Sequence, residues 1–206
     1  IVGGEKQNLA EEIAPVMVYG DDIPEIYQED EITFACGPTV EITAGGRYFV
    51  EYVTGGTNEP QFENVSTVLV SDDGVNYSQY QIIDGLYDNM LRTFDGQLYY
   101  DKERGRLYHF ITQDRNNFYG TSTWVTYTDN PDAENLSDIV WSIPKYVAPF
   151  LMCNNPTLLS NGKYAIALED PYGRSAGKTD CYVWIVDDLL FTNPVKYAIK
   201  TDLNSK

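Results

Sequence analysis

The stretch LRTFDGQLYYDKERGRLYHF (91–110), followed by NNPTLLSNGKYAIALED (154–170), decides the fold, because it exposes a unit that the chain writes three times. Gly46-Arg47-Tyr48-Phe49, Gly105-Arg106-Leu107-Tyr108 and Gly162-Lys163-Tyr164-Ala165 recur at spacings of 59 and 57 residues. A short β-rich run precedes each Gly-basic-aromatic turn, at 38–42, 97–100 and 156–159. A longer alternating run follows it: YFVEYV (48–53), LYHFIT (107–112) and YAIALE (164–169). After a polar loop comes a third run, STVLVS (66–71), STWVTYT (122–128) and CYVWIVD (181–187), and a weaker fourth closes each unit near 79–83, 138–143 and 195–199.

Four short runs rich in aromatic and β-branched residues, separated by turn residues, predict a four-stranded antiparallel meander. Meanders repeated at this period indicate an all-β chain of propeller blades rather than a helical solenoid. The units fall at about 36–90, 91–150 and 151–206, with three blades and part of a fourth expected. Residues 1–35 form a lead-in in which VMVY (16–19) is a candidate outer strand and DDIPEIYQEDE (21–31) an acidic loop.

The 206 residues suffice for one domain with a sizeable core, and 14% aromatic content suits an all-β interior. No apolar stretch is long enough for a membrane-spanning helix. A formal charge of −17, with only 14 Lys and Arg spread along the chain, argues against nucleic acid, since phosphate neutralisation needs clustered cations. Cys36, Cys153 and Cys181 form no CxxC pair. Cys36 and Cys153 stand near prolines at equivalent places of the first and third units, which reads as packing. With the single histidine, His109, inside an aromatic run, no metal centre is expected, and no cofactor. The opening IVGG matches the mature end of trypsin-like proteases, but the chain has no GDSGG-like serine loop.

The turn SDDGVNY (71–77) has the form Ser-x-Asp-Gly-x-x-aromatic. Asp73 is expected to accept backbone N–H groups, Gly74 to supply a positive φ, and Tyr77 to pack back between sheets. This turn resembles the Asp-box of sialidases, with looser counterparts at 128–141 and 186–195. More broadly, residues 35–170 resemble successive blades of the bacterial sialidase-like, BNR-repeat glycoside hydrolases. That resemblance implies a six-bladed propeller, a site at one end of the central axis, a terminal glycan sugar as ligand, and a secreted or periplasmic address. Six units of this length would need roughly 350 residues. The sequence therefore reads as part of a longer ring, or as one of two copies that close it as a homodimer.

In blades of this kind the loops joining strand two to three, and strand four to the next strand one, emerge at the functional end. Arg92 just ahead of an inner strand would point to the axis, where a guanidinium can hold a carboxylate or a hydroxyl pair in two-pronged fashion. Asn155 could offer its amide there. Asp114 and Glu63, in equivalent loops, are the candidate acid/base pair, with Asp95, Arg115, Glu169 and Arg174 as further substrate contacts. Sialidases use a tyrosine nucleophile and an arginine triad; Arg92, Arg115 and Arg174 stand one per unit but do not reproduce the triad's local motifs. The leading expectation is a glycoside hydrolase acting by carboxylate chemistry on terminal sugars. Two further readings stay open: a non-catalytic carbohydrate-binding propeller, and an interaction scaffold.

Overall fold

The computed structural model describes residues 9–28, 31–85, 91–115, 120–170 and 180–199. They form three antiparallel sheets, none closed on itself, with one helical turn, α1 (Leu9–Glu12), ahead of them. The first sheet is the meander β2 (Ala35–Ile42), β3 (Tyr48–Thr54), β4 (Val65–Ser71) and β5 (Ser78–Asp84), with β1 (Val16–Tyr19) added outside β5. The second contains β6 (Arg92–Asp101), β7 (Arg106–Asp114), β8 (Ser122–Thr128) and β9 (Lys145–Ala148). In the third, β10 (Leu151–Met152) and β11 (Thr157–Leu158) both pair with β12 (Tyr164–Asp170), followed by β13 (Asp180–Val186) and β14 (Val195–Ile199).

The repeated Gly-basic dipeptide has a local cause in each sheet. Gly46, Gly105 and Gly162 all adopt positive φ (89°, 67° and 79°), a conformation that L side chains resist, and so turn the first hairpin of each sheet. The basic residue that follows reaches across to the end of the third strand. Arg47 Nε lies 2.6 Å from Asp72, Arg106 Nε 2.6 Å from Asp129 and Lys163 Nζ 2.6 Å from Asp187. The neighbouring acid or amide then ties its own turn: Asp73 accepts from the Val75 and Asn76 N–H groups, Asn130 from Val140, and Asp188 from Leu190 and Thr192. Gly74 has φ 71° as expected, but Tyr77 is exposed on the rim, and Tyr80 fills the place between sheets instead.

Alternation along the strands sets the stacking. Phe49, Val68, Val70 and Tyr80 of the first sheet bury against Leu98, Tyr100, Leu107 and Trp141 of the second. Tyr108, Phe110 and Val125, on the second sheet's other face, bury against Tyr164, Ile166, Leu168 and Trp184 of the third. The fourth run of the second unit, expected at 138–143, forms its strand at 145–148 instead. The intervening chain is drawn onto the first sheet, where Arg47 donates to the Pro131 and Ala133 carbonyls and Trp141 Nε1 donates to Tyr80 Oη at 3.0 Å. The lead-in straps the same two sheets together. While β1 extends the first, the Ala10 carbonyl in α1 accepts from Gln113, Ser122 and Trp124 of the second.

Candidate functional site

The first strands of the three sheets carry the same interruption. Pairing with the second strand slips between Cys36 and Thr39 in β2 and between Phe94 and Gln97 in β6, and the third sheet breaks its inner strand between β10 and β11. A bulge re-aims the residues beside it, and such bulges gather near sites. Here they place Gly37-Pro38 and Asp95-Gly96 within the inner strands, in the halves away from the Gly-basic turns. Asp95 has φ 44°, a left-handed value that is uncommon outside glycine. Gly37 packs beside it, at a φ of 65° that favours glycine.

Arg92, the first residue of β6, is fully buried and anchors this end. Its Nε and Nη2 hold the two oxygens of Asp114 at 2.8 and 3.1 Å, and Nη1 reaches Glu59 Oε1 at 3.0 Å and Asn64 Oδ1 at 3.3 Å. The guanidinium carbon sits 3.9 Å above the centre of the Phe94 ring. Asn64 in turn donates to the Gly55 and Asn58 carbonyls and accepts from Gln61 N–H, so the 55–64 loop is folded onto the arginine. Glu59, about one-fifth exposed, is the loop carboxylate this arrangement holds against Arg92.

Two thiol–carboxylate pairs flank the same point. Cys36 Sγ donates to Glu59 Oε2 at 3.8 Å and Cys153 Sγ to Glu169 Oε2 at 3.7 Å, and both cysteines pack on the cluster of Val53, Phe94 and Leu151. Burial, with the charges of Glu59 and Asp95 beside it, pushes the Cys36 thiol up to about 11. It therefore stays protonated at neutral pH and is a donor rather than a nucleophile.

The expected site residues divide accordingly. Arg92 contacts Glu59, Asp95 lies with Glu59 beside Cys36, Glu169 accepts from Cys153 on the same apolar cluster, and Asp114 is the fully buried counter-ion of Arg92. Glu63 is exposed on its loop, and Arg115, half-buried, follows directly on β7. Asn155 is exposed and donates to Glu41 Oε1 at 3.3 Å, linking the inner strands of the third and first sheets. Arg174 lies outside the described residues. Among the described residues, no group of three or more His, Cys, Asp and Glu side chains is arranged to hold a metal ion.

One buried group beside Asp95 and Gly96 was not singled out from the sequence. Glu51, inaccessible in β3, takes a hydrogen bond from Ser66 Oγ at 2.6 Å and one from the Gly96 N–H. Its signal is a broken alternation, since Phe49 and Val53 show that position 51 faces the interior. His109, also fully buried, lies on the other side of Gly96. A Cβ on Gly96 would fall 2.5 Å from the Glu51 carboxyl and 2.8 Å from His109 Nε2. Gly96→Ala is thus expected to lower stability by about 1–3 kcal/mol through overpacking. A thermal melt checks this, and the loss should shrink in a Glu51→Ala background, where the nearer of the two side chains in the way is gone.

No family model matches the chain, and no curated protein matches it. Solved structures do. Zg3597, a family 117 glycoside hydrolase from the marine bacterium Zobellia galactanivorans, matches 92% of this chain with a TM-score of 0.59 at 15% identity. The Hadza microbial sialidase Hz136 matches 75% with a TM-score of 0.56 at 13% identity. A protein of unknown function from Dyadobacter fermentans matches 93% with a TM-score of 0.58 at 14% identity. The chain spans 63%, 35% and 59% of these three chains respectively. At such identities the likeness is one of fold, and the fold of these three sheets is one that a family 117 glycoside hydrolase and a sialidase both contain.

Proposed function

We propose that this chain carries the mouth of a sialidase-like glycoside hydrolase, a six-bladed β-propeller when its ring is complete, which acts on a terminal sugar by carboxylate chemistry. One observation carries the reading: Glu59 and Asp95 lie beside Cys36, and Glu169 beside Cys153, two cysteines that pack on one apolar cluster with Phe94, under the buried Arg92, where the inner strands are interrupted. The fold's occurrence in two glycoside hydrolases supports it. The Asp73 turn, read as an Asp-box, and a secreted or periplasmic address belong to the same proposal.

Glycosidic cleavage needs one carboxyl to protonate the leaving oxygen and another to attack the sugar carbon, or to activate water, as oxocarbenium character develops. Asp95 is the residue assigned to the reacting centre, because a bulge and a left-handed backbone are spent on aiming it. Glu59 and Glu169, each receiving a thiol hydrogen, are the further carboxylates assigned to the site. Arg92 is committed to Asp114, Glu59 and Asn64 and so acts as a positioning residue rather than as the grip on a sialic acid carboxylate.

The test is a screen of chromogenic terminal-sugar glycosides, sialosides included. Against the substrate found, Asp95→Asn is expected to lower kcat/KM by about 100-fold or more while the melting curve is unchanged. Turnover that survives Asp95→Asn would remove the assignment, and binding of sugar without turnover would favour the carbohydrate-binding reading.

A further inference from the structure

The bulge that aims Asp95 is tied down by two side chains. Pairing of β6 with β7 runs from Phe94 with Thr112 to Gln97 with Phe110, so Asp95 and Gly96 together stand opposite Ile111. Both polar groups of the peptide between them meet side chains. Thr112 Oγ1 donates to the Asp95 carbonyl at 3.3 Å, and the Gly96 N–H donates to the Glu51 carboxyl. One holder belongs to the same sheet, and the other reaches over from the first.

A carboxyl is out of pattern at position 51. In the second sheet the corresponding place, on the second strand and paired with a valine of the third, is Phe110; in the first it is Glu51, paired with Val68. The bulges correspond as well, and Gly37 holds φ 65° where Asp95 holds 44°. Glycine takes the left-handed region readily, whereas an aspartate there has to be held by its surroundings. Asp95 is thus the strained member of the two, and the interior glutamate stands against the peptide that follows it. Gly96 is wedged tightly, with Glu51 on one side and His109 on the other. Ser66 Oγ, at 2.6 Å, fixes the Glu51 carboxyl in turn.

We propose that Glu51 is the positioning residue of Asp95: its carboxyl takes the Gly96 N–H and so holds the Asp95-Gly96 peptide, and with it the Asp95 side chain, in the orientation the reaction uses. This deepens the glycosidase reading and rests on it for the role of Asp95, though not for the clamp itself. Glu51 is inaccessible, so it acts through the backbone rather than on the sugar. A neutral carboxyl suits the place, since it accepts the N–H without setting a second negative charge beside Asp95. Among the described residues, the titratable groups around it are Asp95 on β6, His109 on β7 and Cys36 on β2. Burial takes Glu51 up to about 8 and the Cys36 thiol up to about 11, and takes His109 down to about 3. From pH 6 to 9, Glu51 is therefore the one of these three that changes charge.

Amide spectra of the 206-residue chain over that range test the clamp with no substrate present. The Gly96 amide proton is expected to move downfield in one step near pH 8, as the carboxyl becomes the stronger acceptor, and to lose that step in Glu51→Gln. The carbon shifts of Asp95 should keep their left-handed signature in Glu51→Gln, whose amide oxygen still accepts, and lose it in Glu51→Leu, whose side chain cannot. On the substrate found by the glycoside screen, Glu51→Leu is expected to lower kcat by about 100-fold with KM unchanged, and Glu51→Gln to restore most of that loss at pH 6. The same Gly96 curve in the parent and Glu51→Gln, or a folded Glu51→Leu with Asp95 still left-handed or kcat unchanged, would overturn the proposal. The Gly96 comparison needs only the parent and an isosteric variant, so it stands even if Glu51→Leu does not fold. Full turnover in Asp95→Asn would remove the catalytic assignment and leave the clamp in place, since the amide shifts are read without turnover.

Discussion

Arg92→Met is expected to lower the unfolding free energy by about 3–5 kcal/mol, the cost of breaking a buried ion pair by removing one member. Both Arg92 and Asp114 are wholly inaccessible, and the pair is bidentate at 2.8 and 3.1 Å. Removing the guanidinium takes from the buried Asp114 carboxylate its two-pronged contact with Arg92. Glu59 and Asn64 lose an anchor as well, and with it the 55–64 loop its closest tie to β6. Against a domain stability of about 5–15 kcal/mol the loss is large. Urea unfolding measures it. The double variant Arg92→Met/Asp114→Leu should recover much of the loss, since a buried ion pair replaced by apolar groups is often close to neutral. If the single variant were as stable as the parent, the pair would not be the anchor described here. Arg92→Lys should remain destabilised, because an ammonium cannot make the planar two-pronged contact or stack on Phe94.

The repeat was legible because its marks are backbone requirements. Gly46, Gly105 and Gly162 need positive φ, and their basic neighbours need an aspartate one strand-pair away, so both recur wherever the hairpin does. The strands at 122–128 and 195–199 coincide with the runs read from sequence, since β-branched and aromatic alternation is itself the packing surface. The strand displaced to 145–148 was hidden, because what moves it is Arg47, almost one hundred residues earlier. The site was legible only as a set of loops. Polar loop residues all look alike in sequence; what separates Glu59 from Glu63 is that Asn64 folds the loop onto Arg92, a contact between distant segments. The local signals that did exist were a Gly-Pro or Asp-Gly pair inside a strand, which marks a bulge, and a glutamate where an apolar residue belongs.

That glutamate gives the second large expectation, a change in the pH dependence of stability. Burial, with Asp95 nearby, raises the Glu51 carboxyl to about 8 from an ordinary 4.5, against the opposing hydrogen bonds from Ser66 and Gly96. Burial alone lowers His109 to about 3 from 6.5. Both groups fold in their neutral forms, and their linkages have opposite sign. Glu51 binds a proton more tightly when folded, so its contribution is full below pH 4.5 and is lost as the pH rises toward 8. His109 binds one more tightly when unfolded, so its contribution is full above pH 6.5 and is lost as the pH falls toward 3. Between 4.5 and 6.5 the two slopes cancel, and from this pair stability is level there. From 6.5 to 8 only Glu51 acts, and the expected loss is about 2 kcal/mol, one and a half pK intervals at about 1.4 kcal/mol each. Glu51→Gln keeps the shape and the neutral charge but has no proton to lose. Its unfolding free energy should therefore rise between pH 4.5 and 6.5 and then hold level to 8, where the parent's falls. Urea midpoints at pH 5.5 and 8 for both proteins decide the matter, and a parent whose stability does not drop over that interval would mean that Glu51 is reached by water and titrates as an ordinary carboxylate.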